Sequence, residues 1–199
     1  MPDSYEERIR LYSGNLYIPD SISINNEVYY VCDIADSFRG CVNLKTIRLP
    51  HELESIISLA FAGCRSLRSI ELPDNISCIY AEAFIGCKSL RYIKLPMNLR
   101  IIQESAFEGC THLKRIDIPQ QVCYIGDCAF CGCKRLRELY IYSPIPPTFD
   151  TIFIDSDNTM SFFGEINASI PVHVPLGSKS VYQCEKGWSF FTNIMDDIE

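Results

Sequence analysis

A solenoid of the right-handed β/α superhelix class, its short strands stacked into one parallel sheet of about seven, is the fold that this sequence predicts. Three observations carry the prediction. Phe38, Phe61, Phe84, Phe107 and Phe130 recur at a step of 23 residues, and Gly40, Gly63, Gly86, Gly109 and Gly132 keep the same step, as do Cys41, Cys64, Cys87, Cys110 and Cys133. The register continues through Leu44, Leu67, Leu90, Leu113 and Leu136, then through Ile47, Ile70, Ile93, Ile116 and Leu139. Each copy closes its alternating apolar stretch on Pro50, Pro73, Pro96 or Pro119, with Tyr142 in the fifth place. One coil of this length cannot bury so much apolar surface by itself, whereas stacked copies can.

Residues 1–33 read as a degenerate N-terminal cap repeat. Ile18-Pro19-x-x-Ile22 copies Leu49-Pro50-x-x-Leu53 with eight extra residues inserted, and Asn25-Asn26 between alternating segments marks a hairpin in the insert. Residues 34–142 hold the five full repeats. In each, Ile47 and its equivalents alternate with polar neighbours at the period of a half-buried strand, and proline ends the strand because it brings no backbone donor. Leu53 and Ile56 turn inward on the return leg. The Ala60-Phe61-x-Gly63-Cys64 segment is too short for a helix, so a single helical or 3₁₀ turn is expected there, with Phe61 plugging the core. Ile34 stands one residue nearer its phenylalanine than Ile56, Ile79, Ile102 and Ile125 do, which makes the first turn short. Residues 143–199 form a degenerate C-terminal cap. Pro144, Pro146, Pro147 and Asp155-Ser156-Asp157-Asn158 mark a loop, Val172-x-Val174-Pro175 repeats the strand-plus-proline pattern, and Tyr182, Trp188 and Phe191 are placed to seal the last coil. The whole chain, 1–199, is read as one domain.

The unit A-F-x-G-C-x-x-L-x-x-I-x-L-P resembles the BspA-type leucine-rich repeat of bacterial surface proteins, those of gut and oral Bacteroidetes above all. That resemblance implies a leucine-rich repeat solenoid in a secreted or surface-attached bacterial protein, with host macromolecules among its partners.

Several classes of function are disfavoured directly. No apolar run approaches the roughly 18 residues of a membrane span, and a net charge of −7 argues against a general nucleic-acid binder. The start Met1-Pro2-Asp3 carries no secretion signal, so an intracellular scaffold with reduced thiols remains an alternative. The periodic cysteines read as an inert buried column. Cys128-x-x-Cys131-x-Cys133 has a metal-like look but lacks a second ligand pair, so no metal or other cofactor is expected. His51, His112 and His173 fall at unrelated repeat positions, no nucleophile has a base partner, and no enzyme is expected.

Charge is more informative. The repeats, 41–140, hold thirteen basic and ten acidic residues, while both ends are acidic. The residue after each core leucine is always basic: Lys45, Arg68, Arg91, Lys114 and Arg137. The outward column Arg48, Glu71, Lys94, Asp117, Tyr140 alternates in charge and can pair across strands, and the column before it contributes Tyr92 and Arg115. The expected function is non-catalytic recognition of a protein ligand on the concave sheet, through Lys45, Arg68, Arg91, Lys114, Arg137, Tyr92, Arg115 and Tyr140. Glycan binding through Tyr92, Tyr140 and Tyr142 is the alternative.

Overall fold

The computed structural model describes residues 12–34, 37–149, 163–164 and 166–199. The first short turn and the Asp155–Asn158 loop fall, wholly or partly, outside them. The alternating stretches form the main strand column, Gly14–Tyr17, Leu44–Arg48, Ser69–Glu71, Arg115–Ile118, Glu138–Ile141, Val172–Pro175 and Ile194–Ile198. All pairings in it are parallel, and equivalent repeat positions lie side by side, as in Ile47↔Ile70 and Leu139↔Ile116. The column consists of a three-stranded and a four-stranded sheet. Where they meet, the Ile93–Lys94 coil contributes only the bridge Glu71↔Lys94.

A second parallel ladder, not predicted from the sequence, runs down the return leg. Ser55–Ile56, Cys78–Ile79, Ile101–Ile102 and Tyr124–Ile125 pair in order, and Thr148 extends the column by one bridge. Both ladders aim isoleucines inward, and Ile56, Ile79, Ile93, Ile102 and Ile116 are fully buried.

The third side of each coil is a chain of hydrogen-bonded turns in place of a helical or 3₁₀ turn. The backbone there spends its donors between coils. Leu59, Phe61 and Gly63 donate to the carbonyls of Ala81, Ala83 and Ile85, and the same three bonds recur from Glu82, Phe84 and Gly86 and from Ser105, Phe107 and Gly109. Helical i→i−4 bonding would compete for those donors, so the inter-coil ladder replaces it. This path needs two left-handed residues per coil. The glycine column meets one, with Gly63 at φ +72°. The other is held by Leu59, Glu82, Ser105 and Cys128 at φ +52° to +64°, where a side chain is strained by about 1–2 kcal/mol. Glu82 is exposed, so Glu82→Gly should stabilise the protein by about 0.5–1 kcal/mol in a denaturant melt. A loss of stability would show that the coil imposes no strain at this position.

Inside these walls the five phenylalanines stack with ring centroids 5.2–5.5 Å apart and planes within 7° of parallel. The cysteine column beside them is buried as expected, but it is more than filler. Cys64, Cys87, Cys110 and Cys133 each donate the thiol proton to the carbonyl of Phe38, Phe61, Phe84 and Phe107 one coil away, at 3.0–3.3 Å. Burial pushes these thiols upward in pKa, Cys64 and Cys133 to about 12 and Cys87 and Cys110 well above their ordinary value of 9.0.

At the N-terminal end Tyr17 is in register with Arg48, as the copied proline motif predicts. After Pro19 the chain leaves the coil and forms the expected hairpin, Ser21–Ile24 with Glu27–Tyr30, turning on left-handed Asn25 and Asn26. Ile22 therefore does not copy Leu53. It is 47% exposed, whereas Leu53 is fully buried. At the other end Tyr182 and Trp188 are fully buried and Phe191 nearly so. Tyr182 donates to the Ser143 carbonyl and Trp188 to the Pro147 carbonyl, both at 2.8 Å, which satisfies the polar tips of two otherwise apolar plugs. No helix among the described residues is long and apolar enough to cross a membrane.

Candidate binding face

The basic residues Lys45, Arg68, Arg91, Lys114 and Arg137 stand one above another where the main strands begin, because their own backbones form the ladder. Each amide donates to the carbonyl of the previous member, Arg68 to Lys45, Arg91 to Arg68, Lys114 to Arg91 and Arg137 to Lys114, at 2.9–3.4 Å. All five side chains are exposed, and no carboxylate among the described residues forms an ion pair with any of them. Neighbouring coils sit about 4.8 Å apart. Two like charges at 4 Å cost about 1 kcal/mol even in bulk water, so the column is mildly unfavourable as it stands.

The outward column shows less pairing than its alternating charges predict. Arg48, Glu71 and Lys94 are aligned, but none forms an ion pair with another, since an exposed pair gains little for the side-chain freedom it gives up. Asp117 does pair, within its own strand. Arg115 Nε donates to Asp117 Oδ1 at 2.8 Å, and Nη2 lies 2.7 Å from the same oxygen. The guanidinium of Arg115 lies 3.7 Å from the centroid of the Tyr140 ring. The opposite face of Tyr140 is stacked on His173 at 4.1 Å and 8°, and His173 Nδ1 lies 2.9 Å from Asp197. Three of the chosen residues thus differ in setting. Tyr92 is 46% exposed, Arg115 is tied down by Asp117, and Tyr140 has both ring faces covered, which leaves no face on which a sugar can stack.

Sequence reasoning discounts His173 as one of three histidines at unrelated repeat positions, and it misses Asp197. The signal for His173 was present, because aligning Val172-x-Val174 with the strand pattern puts it in the column of Tyr140, and the register Tyr140↔His173 realises that alignment. It also missed the extent of the basic flank. The legs from cysteine to strand, 42–46, 65–69, 88–92, 111–115 and 134–138, carry ten basic residues and one acidic. Arg65, Lys88 and Lys134 form a second exposed row beside the first. The legs after the proline, 51–59, 74–82, 97–105 and 120–128, carry six acidic residues and one basic. The solenoid is thus basic on one flank of the main sheet and acidic on the other. Between the flanks, a cleft of about 310 Å³ is lined by Arg48, Glu71 and Lys94 over Leu49, Leu72 and Pro73. Such a surface offers long cations over a shallow apolar floor.

Comparison with known proteins agrees with this architecture. The model of the BspA type leucine rich repeat region matches residues 33–159 in six copies. No curated protein matches the chain. Among solved structures, a leucine-rich repeat protein from Bacteroides ovatus ATCC 8483 is similar at 28% identity and a TM-score of 0.57, over 65% of this chain and 42% of its own. A T. pallidum leucine rich repeat protein is similar at 24% identity and a TM-score of 0.61, over 93% of this chain and 70% of its own. The pneumococcal vaccine antigen PcpA shares the fold at 15% identity and a TM-score of 0.52, over 93% of this chain and 56% of its own. The chain therefore spans less than half the length of the Bacteroides ovatus protein.

Proposed function

Because the chain belongs to the BspA-type leucine-rich repeat family, we propose that it is a non-catalytic recognition module that binds an acidic protein partner along the basic flank of its main sheet. One observation carries the reading: the ladder Lys45, Arg68, Arg91, Lys114 and Arg137, exposed, stacked at the coil repeat and without carboxylate partners among the described residues. A column of like charges that stability does not require gains its counter-charge from a ligand. The family resemblance supports a secreted or surface-attached location. Brief proteolysis of intact cells tests that part, since a surface protein is cleaved before lysis and an internal one only after it.

The binding face is tested with an acidic probe, poly-glutamate, on immobilised protein. Reversing Arg68, Arg91 and Lys114 to Glu should slow association at least about tenfold and flatten its dependence on salt, while the melting temperature stays nearly unchanged. Reversing Glu52, Glu54 and Glu104 on the opposite flank to Lys should leave the association rate equal or higher. Equal association by the wild type and the ladder variant would eliminate the basic flank as the site. A panel of host matrix proteins and glycans then identifies the natural partner. Capture of neutral glycans through Tyr92 and Tyr142, with no effect of the ladder variant, would favour the alternative.

A further inference from the structure

Cys128 and Cys131 occupy a place that no other coil fills with two thiols. Their equivalents are Leu59 with Ala62, Glu82 with Ile85, and Ser105 with Glu108. The two residues are the ends of one tight turn, closed by the Cys131 amide donating to the Cys128 carbonyl at 3.0 Å. A turn of this kind brings its end Cα atoms within about 7 Å, and disulfides span Cα separations of about 4.4–6.8 Å. A side-chain hydrogen bond joins the two thiols. The turn is held from the coil below, where Ser105, Phe107 and Gly109 donate to the carbonyls of Asp127, Ala129 and Cys131, each at 2.8 Å. Cys128 is half-buried, whereas Cys131 is only 8% exposed and lies under Gly164. The third cysteine of the run takes no part, because Cys133 points into the core and donates to the Phe107 carbonyl at 3.3 Å.

From this geometry we infer that Cys128 and Cys131 form a redox-active pair, which a small linear disulfide oxidises to an intramolecular disulfide. Cys128 reacts first. It is the more accessible of the two, while burial and the hydrogen bond that the Cys131 thiol donates to Cys128 raise the pKa of Cys131 and keep that thiol protonated. The Cys128 thiolate attacks one sulfur of the reagent R–S–S–R, forming Cys128–S–S–R and expelling the thiolate RS⁻. Cys131 then gives its proton to that thiolate, and its sulfur attacks Cys128 Sγ, expelling the second RS⁻, which takes a proton from water. Two protein thiols and one reagent disulfide become one protein disulfide and two reagent thiols, a two-electron exchange.

The test uses the whole chain, reduced, exchanged into oxidised glutathione, acid-quenched and mapped without reduction. The tryptic peptide 116–134 contains Cys123, Cys128, Cys131 and Cys133. It should appear with a Cys128–Cys131 link and no glutathione at either position, while exposed Cys32, Cys123 and Cys184 carry one glutathione each. The Cys131→Ser variant should hold a stable glutathione on Cys128, and the Cys128→Ser variant should leave Cys131 unmodified. A lasting adduct on wild-type Cys128, an unreacted Cys128, or a link from either residue to Cys123 or Cys133 would overturn the assignment. The wild-type map decides the matter whether or not the variants fold.

Discussion

Between pH 8 and pH 10 the solenoid should lose about 4–6 kcal/mol of stability. The cause is the thiol column. Cys64, Cys87, Cys110 and Cys133 have an ordinary pKa of 9.0 once the chain unfolds; in the folded protein burial raises Cys64 and Cys133 to about 12, and Cys87 and Cys110 well above that ordinary value. Folding therefore favours the protonated thiol. The stabilisation is complete below pH 9 and is lost as the pH climbs from there through the folded values. Each thiol loses about 1.4 kcal/mol per pH unit inside that window, and four act together. A loss of this size is comparable to the whole stability of an ordinary domain. Denaturant melts in reductant at pH 8, 9 and 10 measure it directly. A slope below about 1 kcal/mol per pH unit would mean that water reaches the column, and replacing the four cysteines with alanine should flatten the slope.

Phe84→Ala should cost about 3–5 kcal/mol, as truncation of a fully buried phenylalanine does. Phe84 is fully buried and sits at the middle of the stack, with Phe61 at 5.2 Å and Phe107 at 5.3 Å. The cavity would open between two coils, and a solenoid is held together by such nearest-neighbour contacts. Calorimetry should accordingly show a lower and broader transition as the two halves uncouple. An unchanged, sharp transition would refute the stack as the source of cooperativity.

What could be read in advance follows from how each feature is encoded. The main strand column, the phenylalanine stack and the closing plugs Tyr182, Trp188 and Phe191 were legible, because burial fixes residue type at each position. The hairpin was legible because Asn25-Asn26 tolerates the left-handed turn that it requires. The second ladder was not, since two residues such as Ser55–Ile56 are too few to display an alternation. The left-handed column at Leu59, Glu82, Ser105 and Cys128 was hidden too. The conformation there is imposed by bonds between coils, so four unrelated side chains occupy it. On the binding face the first basic row stood out because it never lapses. The second row is interrupted by Thr111, and His173 was hidden by the insert that breaks the 23-residue step.

The bond from each cysteine thiol to the phenylalanine carbonyl one coil away has a consequence for how such chains change length. Donor and acceptor are always 26 residues apart, one coil plus the step of three from Phe to Cys, so every junction is made from the same parts. Excising residues 65–87 would bring Cys110 opposite Phe61 and Phe107 against that same ring, restoring the thiol bond, the ring stack and the turn ladder at the new seam. Duplicating the segment would do the same. The basic column gains or loses one rung with each such event, while the two terminal plugs meet unchanged neighbours. The chain is a ruler with interchangeable divisions, whose reach can be reset by whole coils without redesigning a single joint.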